Sequence, residues 1–347
     1  CIRDRRCTRR GMIVTSPRVD GSPLASSVSR RAGVRQRPCR IVGCMNERAP
    51  VVAIVYNPTK FNDSTQWKKS AHQICQQEGW ADPLLLATTR DDPGQGMTRE
   101  AVRQDVDLVC AAGGDGTVRQ VATVLAGTRT PMGIIGMGTG NILARNLDLP
   151  IDDFDKGLRT ALRGRRRTID LGWVSFDGAT EQCFTAIIGM GFDADTMANT
   201  SEAGKAEYGW IAYIVAALRY LVQPGFRATV TIDGEVCEAQ RARSILLCNC
   251  GLLPAGIRLV PSARIDDARL DSLALAPHGM VGWLAVAAKV ITRSRLGGRL
   301  VRHHPCRTAE VRTSSPVLAE VDGDTYGKVR RMSVRVQPMA LQVRAAV

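Results

Sequence analysis

Two glycine-rich turns carry the residues best suited to binding phosphate. "GGDGT" occupies residues 113–117, and "GTGN" occupies residues 138–141. Glycine lets the backbone approach a phosphate closely, and amides at the start of a helix donate hydrogen bonds to it. Asp115 puts a carboxylate in the first turn, where it would repel an anion unless a cation lies between them. The two turns therefore predict a polyphosphate site that includes a cation.

Neither turn matches the common nucleotide motifs. The chain contains no G-x-x-x-x-G-K-[ST] sequence, so a P-loop is excluded. "GMGTGN" at 136–141 places Asn141 where a dinucleotide fingerprint has its third glycine, which disfavours a dehydrogenase. Tight packing without a ligand is the alternative explanation for both turns.

Apolar runs alternate with helical patterns in the first part of the chain and would position these turns. The predicted buried strands lie at residues 51–56, 83–88, 107–112 and 132–137. Such alternation indicates a parallel sheet covered on both faces, whose ligands bind at the carboxyl ends of the strands. Asn57 and both glycine turns should therefore lie along one edge of the sheet.

A different pattern begins near residue 165. Short alternating runs predict mostly antiparallel strands, and "IDGE" at 232–235 is a strong two-residue hairpin turn. Helical patterns interrupt these strands at residues 205–222 and 279–293. "RGRRR" at 163–167 marks the junction, either as a solvated face or as a segment that attracts phosphates or head groups.

Positive charge is concentrated near the start of the chain. The 347 residues have a formal net charge of +14. Residues 1–50 hold twelve arginines and three acidic residues, a charge of 12 − 3 = +9, so the rest of the chain carries 14 − 9 = +5. We predict a disordered basic tail, or sequence upstream of a natural start at Met45, with a basic arm or targeting peptide as the alternative. The rest lacks basic runs interleaved with aromatics, so we expect no nucleic-acid partner, whereas an anionic membrane surface fits it.

Cysteine usage and hydropathy indicate a cytosolic protein. None of the eleven cysteines belongs to a C-x-x-C pair, which indicates reduced, mostly buried thiols. The longest apolar stretch, residues 210–222, contains Arg219 and is too short to span a bilayer. It predicts a buried or half-buried helix, with an interfacial, lipid-facing helix as the alternative.

Four segments together resemble the diacylglycerol kinase catalytic-domain family. They are "NP" at 57–58, "GGDGT" at 113–117, "GTGNILARNL" at 138–147 and "DDARLD" at 266–271. This family includes bacterial soluble diacylglycerol kinases and the sphingosine and ceramide kinases, and it is distantly related to the NAD kinases. The first glycine turn alone is shared with NAD kinases, whereas its combination with "GTGNILARNL" resembles the bacterial lipid kinases. The resemblance extends from about residue 51 to the end of the chain.

The resemblance implies an α/β fold of two domains with ATP in the cleft between them. A Rossmann-like parallel nucleotide-binding domain would comprise residues 51–165 and, because the chain returns at its C terminus, about 330–347. Residues 166–329 would form a mostly antiparallel, β-rich lipid-binding domain with helices, and residues 1–50 would be the basic tail.

Twelve residues match the family's ATP site. The end of the first strand and Thr88 would border the nucleotide, and the glycine turns would wrap its phosphates. The twelve residues are Asn57, Pro58, Thr59, Thr88, Gly113, Gly114, Asp115, Gly116, Thr117, Gly138, Thr139 and Asn141.

The resemblance also implies two Mg²⁺ sites. In the first, Asp115 and Asp170 would join a water-mediated network, although Asp170 could equally make a strand-end hydrogen bond. The family often has a third residue of this network directly after the asparagine of the second turn. That position is Ile142 here, so the network would be smaller. The second site would be structural, and an ordinary aspartate turn is the alternative. Its ligands would be the Asp267 side chain and the backbone carbonyls of Arg264 and Arg269.

Asp324 takes the place of the family's catalytic base. The family uses the glutamate of a late "DGE", and the matching segment here is "EVDGDTYG" at 320–327. Glu320 is the fallback, and a plain hairpin turn is the alternative. In the implied step, Asp324 accepts the proton of a hydroxyl whose oxygen attacks the γ-phosphorus of ATP.

The implied function is an ATP- and Mg²⁺-dependent kinase that converts diacylglycerol to phosphatidic acid. Its expected partners are ATP and diacylglycerol or a related lipid at a membrane surface. We expect the protein to be cytoplasmic and peripherally associated with the membrane. A homodimer is an open alternative to a monomer. Two other functions stay open: an NAD kinase-like or other small-alcohol kinase, and a non-catalytic nucleotide-binding regulator.

Overall fold

Strands and helices alternate in the first half of the described chain. The computed structural model describes residues 48–61, 64–191, 225–277, 282 and 301–345. The basic tail and most of the two helical patterns predicted at 205–222 and 279–293 lie outside these residues. The elements of the first half are β1 (Val52–Tyr56), a 3₁₀ turn (Pro58–Lys60), α1 (Ser64–Gln77), β2 (Leu84–Ala87), α2 (Gln95–Arg103), β3 (Leu108–Gly113), α3 (Asp115–Leu125), β4 (Met132–Gly136), α4 (Ile142–Asn146) and α5 (Phe154–Arg163).

The first four strands form a parallel sheet in the order β2-β1-β3-β4. Every residue of β1, β3 and β4 is buried, because helices cover both faces of the sheet. Helices α1 and α5 pack on one face, and α2 and α3 pack on the other. The four predicted strands are confirmed.

Helix α5 is an element that the sequence reading did not predict. Its N-cap, Asp153, accepts a hydrogen bond from the amide of Lys156 at 3.0 Å. The buried residues follow helical spacing and are Phe154, Gly157, Leu158, Ala161 and Leu162. The signals of a helix are therefore present in the sequence, between a proline and the arginine-rich junction.

The second half of the described chain is almost entirely strand. Its elements are β5 (Arg165–Phe176), β6 (Gln182–Phe184), β7 (Ile187–Met190), β8 (Phe226–Ile232), β9 (Glu235–Ala242), β10 (Ser244–Cys248), a 3₁₀ turn (Pro254–Gly256), β11 (Leu270–Leu275), β12 (Val301–Cys306), β13 (Thr308–Val321) and β14 (Asp324–Ala345). The hairpin predicted at "IDGE" is present, with Ile232 paired to Glu235. The segment "RGRRR" connects α5 directly to β5: Arg163 ends α5, and residues 165–167 are exposed at the start of β5.

Strand β14 joins the two halves. It pairs with β13 and β5 in antiparallel fashion, and Val343 near its end pairs in parallel with Met132 of β4. In the part of the chain that the structure describes, all fourteen strands thus belong to one mixed sheet. The expected combination of parallel N-terminal strands and antiparallel C-terminal strands is confirmed.

The described cysteines and helices agree with the composition. Seven cysteines lie in the described ranges; none forms a disulfide there, and all except the half-buried Cys237 are buried. None of the helices described is both long enough and apolar enough to cross a membrane.

Candidate active site

The carboxyl ends of β1, β3 and β4 meet at one edge of the sheet. The amide of Asn57, just after β1, donates to the carbonyl of Ala112 in β3 at 3.0 Å. The amide of Met137, just after β4, donates to the carbonyl of Gly113 at 2.9 Å. The structure therefore brings together "NP" and the two glycine turns, because parallel strands end on the same side.

The first glycine turn presents the start of helix α3. Gly114 is the N-cap, and it has no side chain to cover the first amides of the eleven-residue helix. Those amides have no partner within the helix, and they carry the positive end of its dipole. The turn can therefore bind phosphate oxygens through its backbone.

Asp115 connects the two glycine turns. One carboxylate oxygen accepts the amide of Asn141 at 2.7 Å, and the other accepts the amide of Ile142 at 2.7 Å. The carboxylate thus accepts hydrogen bonds from the amides at the start of α4, where the N-cap residue Asn141 makes no capping bond with its own side chain. A β-carbon at Gly140 would lie 2.3 Å from the nearer oxygen, so only glycine admits this approach.

The environment of Asp115 resists its charge. Burial, and then the charge of Asp322, raise the pKa of Asp115 to about 6, against the opposing effect of the hydrogen bonds from Ile142 and Asn141. The carboxylate has about four lone pairs; the amides of Asn141 and Ile142 take two, and the backbone amide of Asp115 itself also donates to it. The carboxylate can therefore still accept one hydrogen bond from a water.

Local hydrogen bonds hold the second glycine turn. Asn141 has a left-handed backbone (φ 52°), and its side-chain nitrogen donates to the carbonyl of Gly138 at 2.8 Å. Arg145 donates to the carbonyls of Gly140 at 2.8 Å and Thr139 at 3.0 Å. These carbonyls are thereby turned towards the guanidinium, and the loop is fixed before any ligand binds.

Asp322 anchors the hairpin that carries the candidate base. Val321 pairs with Asp324 across a two-residue turn, in which Asp322 (φ 50°) and Gly323 (φ 87°) are both left-handed, as a type I′ turn requires. The buried carboxylate of Asp322 accepts three backbone amides and one hydroxyl from the segment between β6 and β7. The donors are the amides of Thr185 at 2.9 Å, Ala186 at 2.8 Å and Ile187 at 3.0 Å, and the Thr185 hydroxyl at 3.2 Å.

Asp324 lies over the first glycine turn. A β-carbon at Gly116 would be 3.6 Å from the carboxylate oxygen Oδ2 of Asp324. The same oxygen accepts a hydrogen bond from Arg119 at 2.7 Å, and the side chain of Asp324 is 62% exposed. The structure thus brings the predicted base to the predicted phosphate turn across a sequence separation of more than 200 residues.

Glu320 has a different environment. It is buried on β13, and burial followed by the charge of Asp322 raises its pKa to about 8. A β-carbon on Gly189 of β7 would lie 3.6 Å from the Oε1 atom of Glu320, whereas the Asp324 carboxylate lies against Gly116 of the first glycine turn. The geometry therefore favours Asp324 over Glu320 as the proposed base.

Asp170 holds a loop and a strand together. Its two carboxylate oxygens accept the amides of Ala268 at 2.6 Å and Met339 at 2.8 Å. No hydrogen bond in the described part of the chain joins Asp170 to Asp115. Asp170 is buried, and each of its oxygens is used by one of these two amides.

Asp267 lies in the loop that Asp170 holds. Its carboxylate accepts the amide of Arg269 at 3.1 Å, which is the geometry of an aspartate turn. Burial raises its pKa, and the charges of Asp271 and Asp170 add to that effect. A cation would relieve this repulsion, although no cluster of three or more histidine, cysteine or acidic side chains in the described ranges could hold a metal by itself.

The remaining predicted nucleotide residues line the edge near β1 and β2. The side-chain oxygen of Asn57 accepts both the amide and the hydroxyl of Thr59, at 3.0 and 2.9 Å, and so shapes the turn around Pro58. Thr88 follows β2, its amide donates to Tyr56, and its side chain is buried. Thr117 is buried in the first turn of α3.

Three side chains at the site were not singled out by the sequence reading. Asp322 anchors the hairpin, Arg119 contacts Asp324, and Lys60 places its ammonium 3.7 Å from where a β-carbon on Gly138 would lie. Lys60 could have been suspected from its position three residues after Asn57. The roles of Asp322 and Arg119 depend on contacts with distant segments, so no local pattern reveals them.

Two family models match successive parts of the chain. The diacylglycerol kinase catalytic domain matches residues 51–174, and the YegS C-terminal NAD kinase beta sandwich-like domain matches residues 186–345. Together they account for most of the described residues.

Individual proteins agree with these matches. The chain is 26% identical to a diacylglycerol kinase of Bacillus subtilis over 281 residues, which cover 79% of this chain and 89% of the relative. It is 36% identical to a diacylglycerol kinase of Mycobacterium tuberculosis over 174 residues, 49% of this chain and 55% of that one. A crystal structure of a diacylglycerol kinase from Bacillus anthracis has the same fold, with a TM-score of 0.63, 18% identity, and coverage of 86% of this chain and 97% of that one.

The fold and the site define a class of enzyme. The matched domains and the kinase relatives define it as a phosphotransferase with an alcohol acceptor. Residues 51–174 match the catalytic domain of the diacylglycerol kinases and residues 186–345 match the C-terminal domain of YegS, so both halves of this kinase resemble that family.

Proposed function

We propose that this protein transfers the γ-phosphoryl group of ATP to the hydroxyl of diacylglycerol and so produces phosphatidic acid. The observation that carries the proposal is the position of Asp324, whose carboxylate lies directly over Gly116 of the first glycine turn. A base must lie within reach of the alcohol that attacks a bound phosphate, and this carboxylate is exposed to the site. Relatives named as diacylglycerol kinases support the choice of acceptor.

In the proposed reaction, the chain positions both reactants and moves one proton. The open amides at the start of α3 hold phosphate oxygens of ATP. The hydroxyl oxygen of the acceptor forms a bond to the γ-phosphorus while Asp324 accepts the hydroxyl proton. The bond between the γ-phosphorus and the bridging oxygen of ADP breaks.

Magnesium is the proposed cofactor, because it neutralises phosphate charge and usually binds proteins through one or two carboxylates and waters. Asp115 fits this use through water, since its carboxylate lies in the phosphate turn and can accept a further hydrogen bond beyond its three backbone amides. Asp170 stays the proposed second member of this network, and Asp267, with the carbonyls of Arg264 and Arg269, stays the proposed structural site. Removal of Mg²⁺ by a chelator should abolish transfer.

A lipid acceptor requires contact with a membrane surface. Outside its first fifty residues the chain carries 14 − 9 = +5 charges, which would draw it towards anionic lipids. We therefore propose peripheral association with the membrane, which can be measured by sedimentation with vesicles of increasing phosphatidylglycerol content. The bound fraction should fall as salt is raised, because the attraction is screened.

The test is a transfer assay with the full chain, labelled ATP, Mg²⁺ and mixed micelles that contain diacylglycerol, ceramide or neither. We expect label in phosphatidic acid, and we expect Asp324→Asn to lower kcat by about 10²- to 10⁴-fold, since it removes the proton acceptor and keeps the shape. Glu235→Gln is the matched control, because Glu235 also follows an Asp-Gly turn but is exposed on β9, which pairs only with β8 among the described strands.

Other outcomes would identify a different function. Transfer to NAD, with no label in any lipid, would contradict the proposal in favour of an NAD kinase-like activity. Binding of ATP without transfer to any acceptor would favour a nucleotide-binding regulator. Equal activity of Asp324→Asn and the wild-type protein would overturn the role of Asp324.

A further inference from the structure

Arg119 links the two halves of the candidate site. It lies on α3, one turn after Asp115, and its guanidinium makes two contacts with the hairpin of β13 and β14. One nitrogen donates to the carboxylate of Asp324 at 2.7 Å, and another donates to the backbone carbonyl of Val321 at 2.6 Å. The arginine therefore binds both ends of the two-residue turn between β13 and β14.

Arg119 and Asp324 differ in the solvent exposure of their side chains. The side chain of Arg119 is 12% exposed, whereas that of Asp324 is 62% exposed. The guanidinium is a planar fork, and two bonds from different nitrogens fix its orientation. Because the arginine is held by the protein, it determines where the freer carboxylate lies.

The backbone of the turn has a second anchor besides Arg119, although the charge of Arg119 also favours the ionised form of Asp322 in that anchor. Asp322 accepts four hydrogen bonds between β6 and β7, and the type I′ turn is complete without the arginine. Loss of Arg119 should therefore release the carboxylate of Asp324 more than it displaces the hairpin. This separates a positioning role from a merely structural one.

We infer that Arg119 is a positioning residue that holds the carboxylate of Asp324 over Gly116 for proton transfer. The inference rests on the proposed function, in which Asp324 is the base. An aspartate is shorter than the glutamate of the family's motif and reaches the site by its own path, so its direction matters more. A misplacement of about 1 Å can cost about 10²-fold in rate.

The test compares Arg119→Gln and Arg119→Lys with the wild-type full chain in the diacylglycerol transfer assay. We expect Arg119→Gln to lower kcat by about 10- to 100-fold while KM for ATP changes less than about twofold, because the phosphate amides are untouched. Arg119→Lys should recover part of kcat, since it keeps the charge and one donor. Arg331→Gln is the control, because it breaks a partly exposed pair with Glu310, 2.7 Å long, on the same two strands but seven residues along β14 from Asp324.

A double substitution distinguishes positioning from other effects. In an Asp324→Asn background, Arg119→Gln should cause no further loss of kcat, since the group that it positions has lost its function. Full activity of Arg119→Gln, or an additive loss in the double variant, would overturn the inference. If the glutamine variant fails to fold, equal kcat for Arg119→Lys and wild type would overturn it as well. Wild-type protein that labels no acceptor would instead overturn the proposed function on which it rests.

Discussion

At the scale of single residues, Asp115 resolves the apparent conflict of a carboxylate in a phosphate turn. Its two oxygens accept the amides of Asn141 and Ile142, so the charge is used first to hold the second turn beside the first. The carboxylate can still accept a hydrogen bond from the water of a hydrated cation. The aspartate is therefore a structural part of the proposed phosphate cradle whether or not a metal is bound.

Glu320 should make stability depend on pH. Its pKa is about 8 in the folded chain against an ordinary value of 4.5, so the folded state holds a proton that the unfolded state releases between these values. Stability should fall as pH rises from about 4.5 through 8, with a slope of at most about 1.4 kcal/mol per pH unit. Glu320→Gln should equal wild type below about pH 4, where the wild-type side chain is protonated in both states, and should be more stable by up to about 5 kcal/mol at pH 9, measured by urea unfolding. Parallel pH profiles for the two proteins would contradict this.

At the scale of elements, the described part of the chain contains two similar Asp-Gly hairpins whose aspartate side chains differ in burial. Asp233-Gly234 and Asp322-Gly323 have nearly the same left-handed angles, 48° and 88° against 50° and 87°. The carboxylate of Asp233 is exposed and accepts the amides of Arg307 and Thr308. That of Asp322 is buried, so only the second hairpin is fixed against the site.

Asp322→Ala should destabilise the protein far more than Asp233→Ala. It would leave the amides of Thr185, Ala186 and Ile187 without their acceptor in a buried place, where each orphaned donor costs about 1–3 kcal/mol. We expect a loss of at least about 3 kcal/mol in urea unfolding, and about 1 kcal/mol for Asp233→Ala. Equal losses for the two variants would show that burial does not distinguish the hairpins.

At the scale of the whole molecule, the last strand closes the fold. Strand β14 has 22 residues, and its final segment lies between β4 and β5. Leu341 and Val343 are buried there, and Arg344 donates to the carbonyl of Gly164 at 2.7 Å. The parallel sheet that carries the glycine turns therefore depends on the C terminus.

Removal of residues 339–347 should prevent stable folding. Burial of Leu341 and Val343 contributes about 1.5–3 kcal/mol each, and the strand also loses its ladder to β5, against a total stability of about 5–15 kcal/mol. We expect loss of cooperative thermal unfolding in circular dichroism. Removal of residues 346–347, beyond the end of β14, is the control and should leave the transition intact. A truncated protein that melts like wild type would contradict this account.

Much of the parallel sheet was predictable because its signals are local. Each apolar run is a buried strand, and each glycine turn follows a strand, so the carboxyl edge could be inferred without coordinates. Helix α5 was missed although Phe154 and Leu158 have helical spacing. The single mixed sheet was not predictable, because pairing of β14 with β4 joins residues far apart in the chain.

The sequence by itself determined the two glycine turns, their position after buried strands at one edge of the sheet, and the resemblance to a kinase family. These features depend on residue types at short spacing. Only the tertiary structure decided which of two Asp-Gly hairpins reaches the phosphate turn, and that Asp324 lies there against Arg119. It also decided that Asp115 holds the second turn and that Glu320 is buried and neutral. The physical reason is that hydrogen bonding and desolvation depend on neighbours in space, which can lie far apart along the chain, as Arg119 and Asp324 do at a separation of 205 positions.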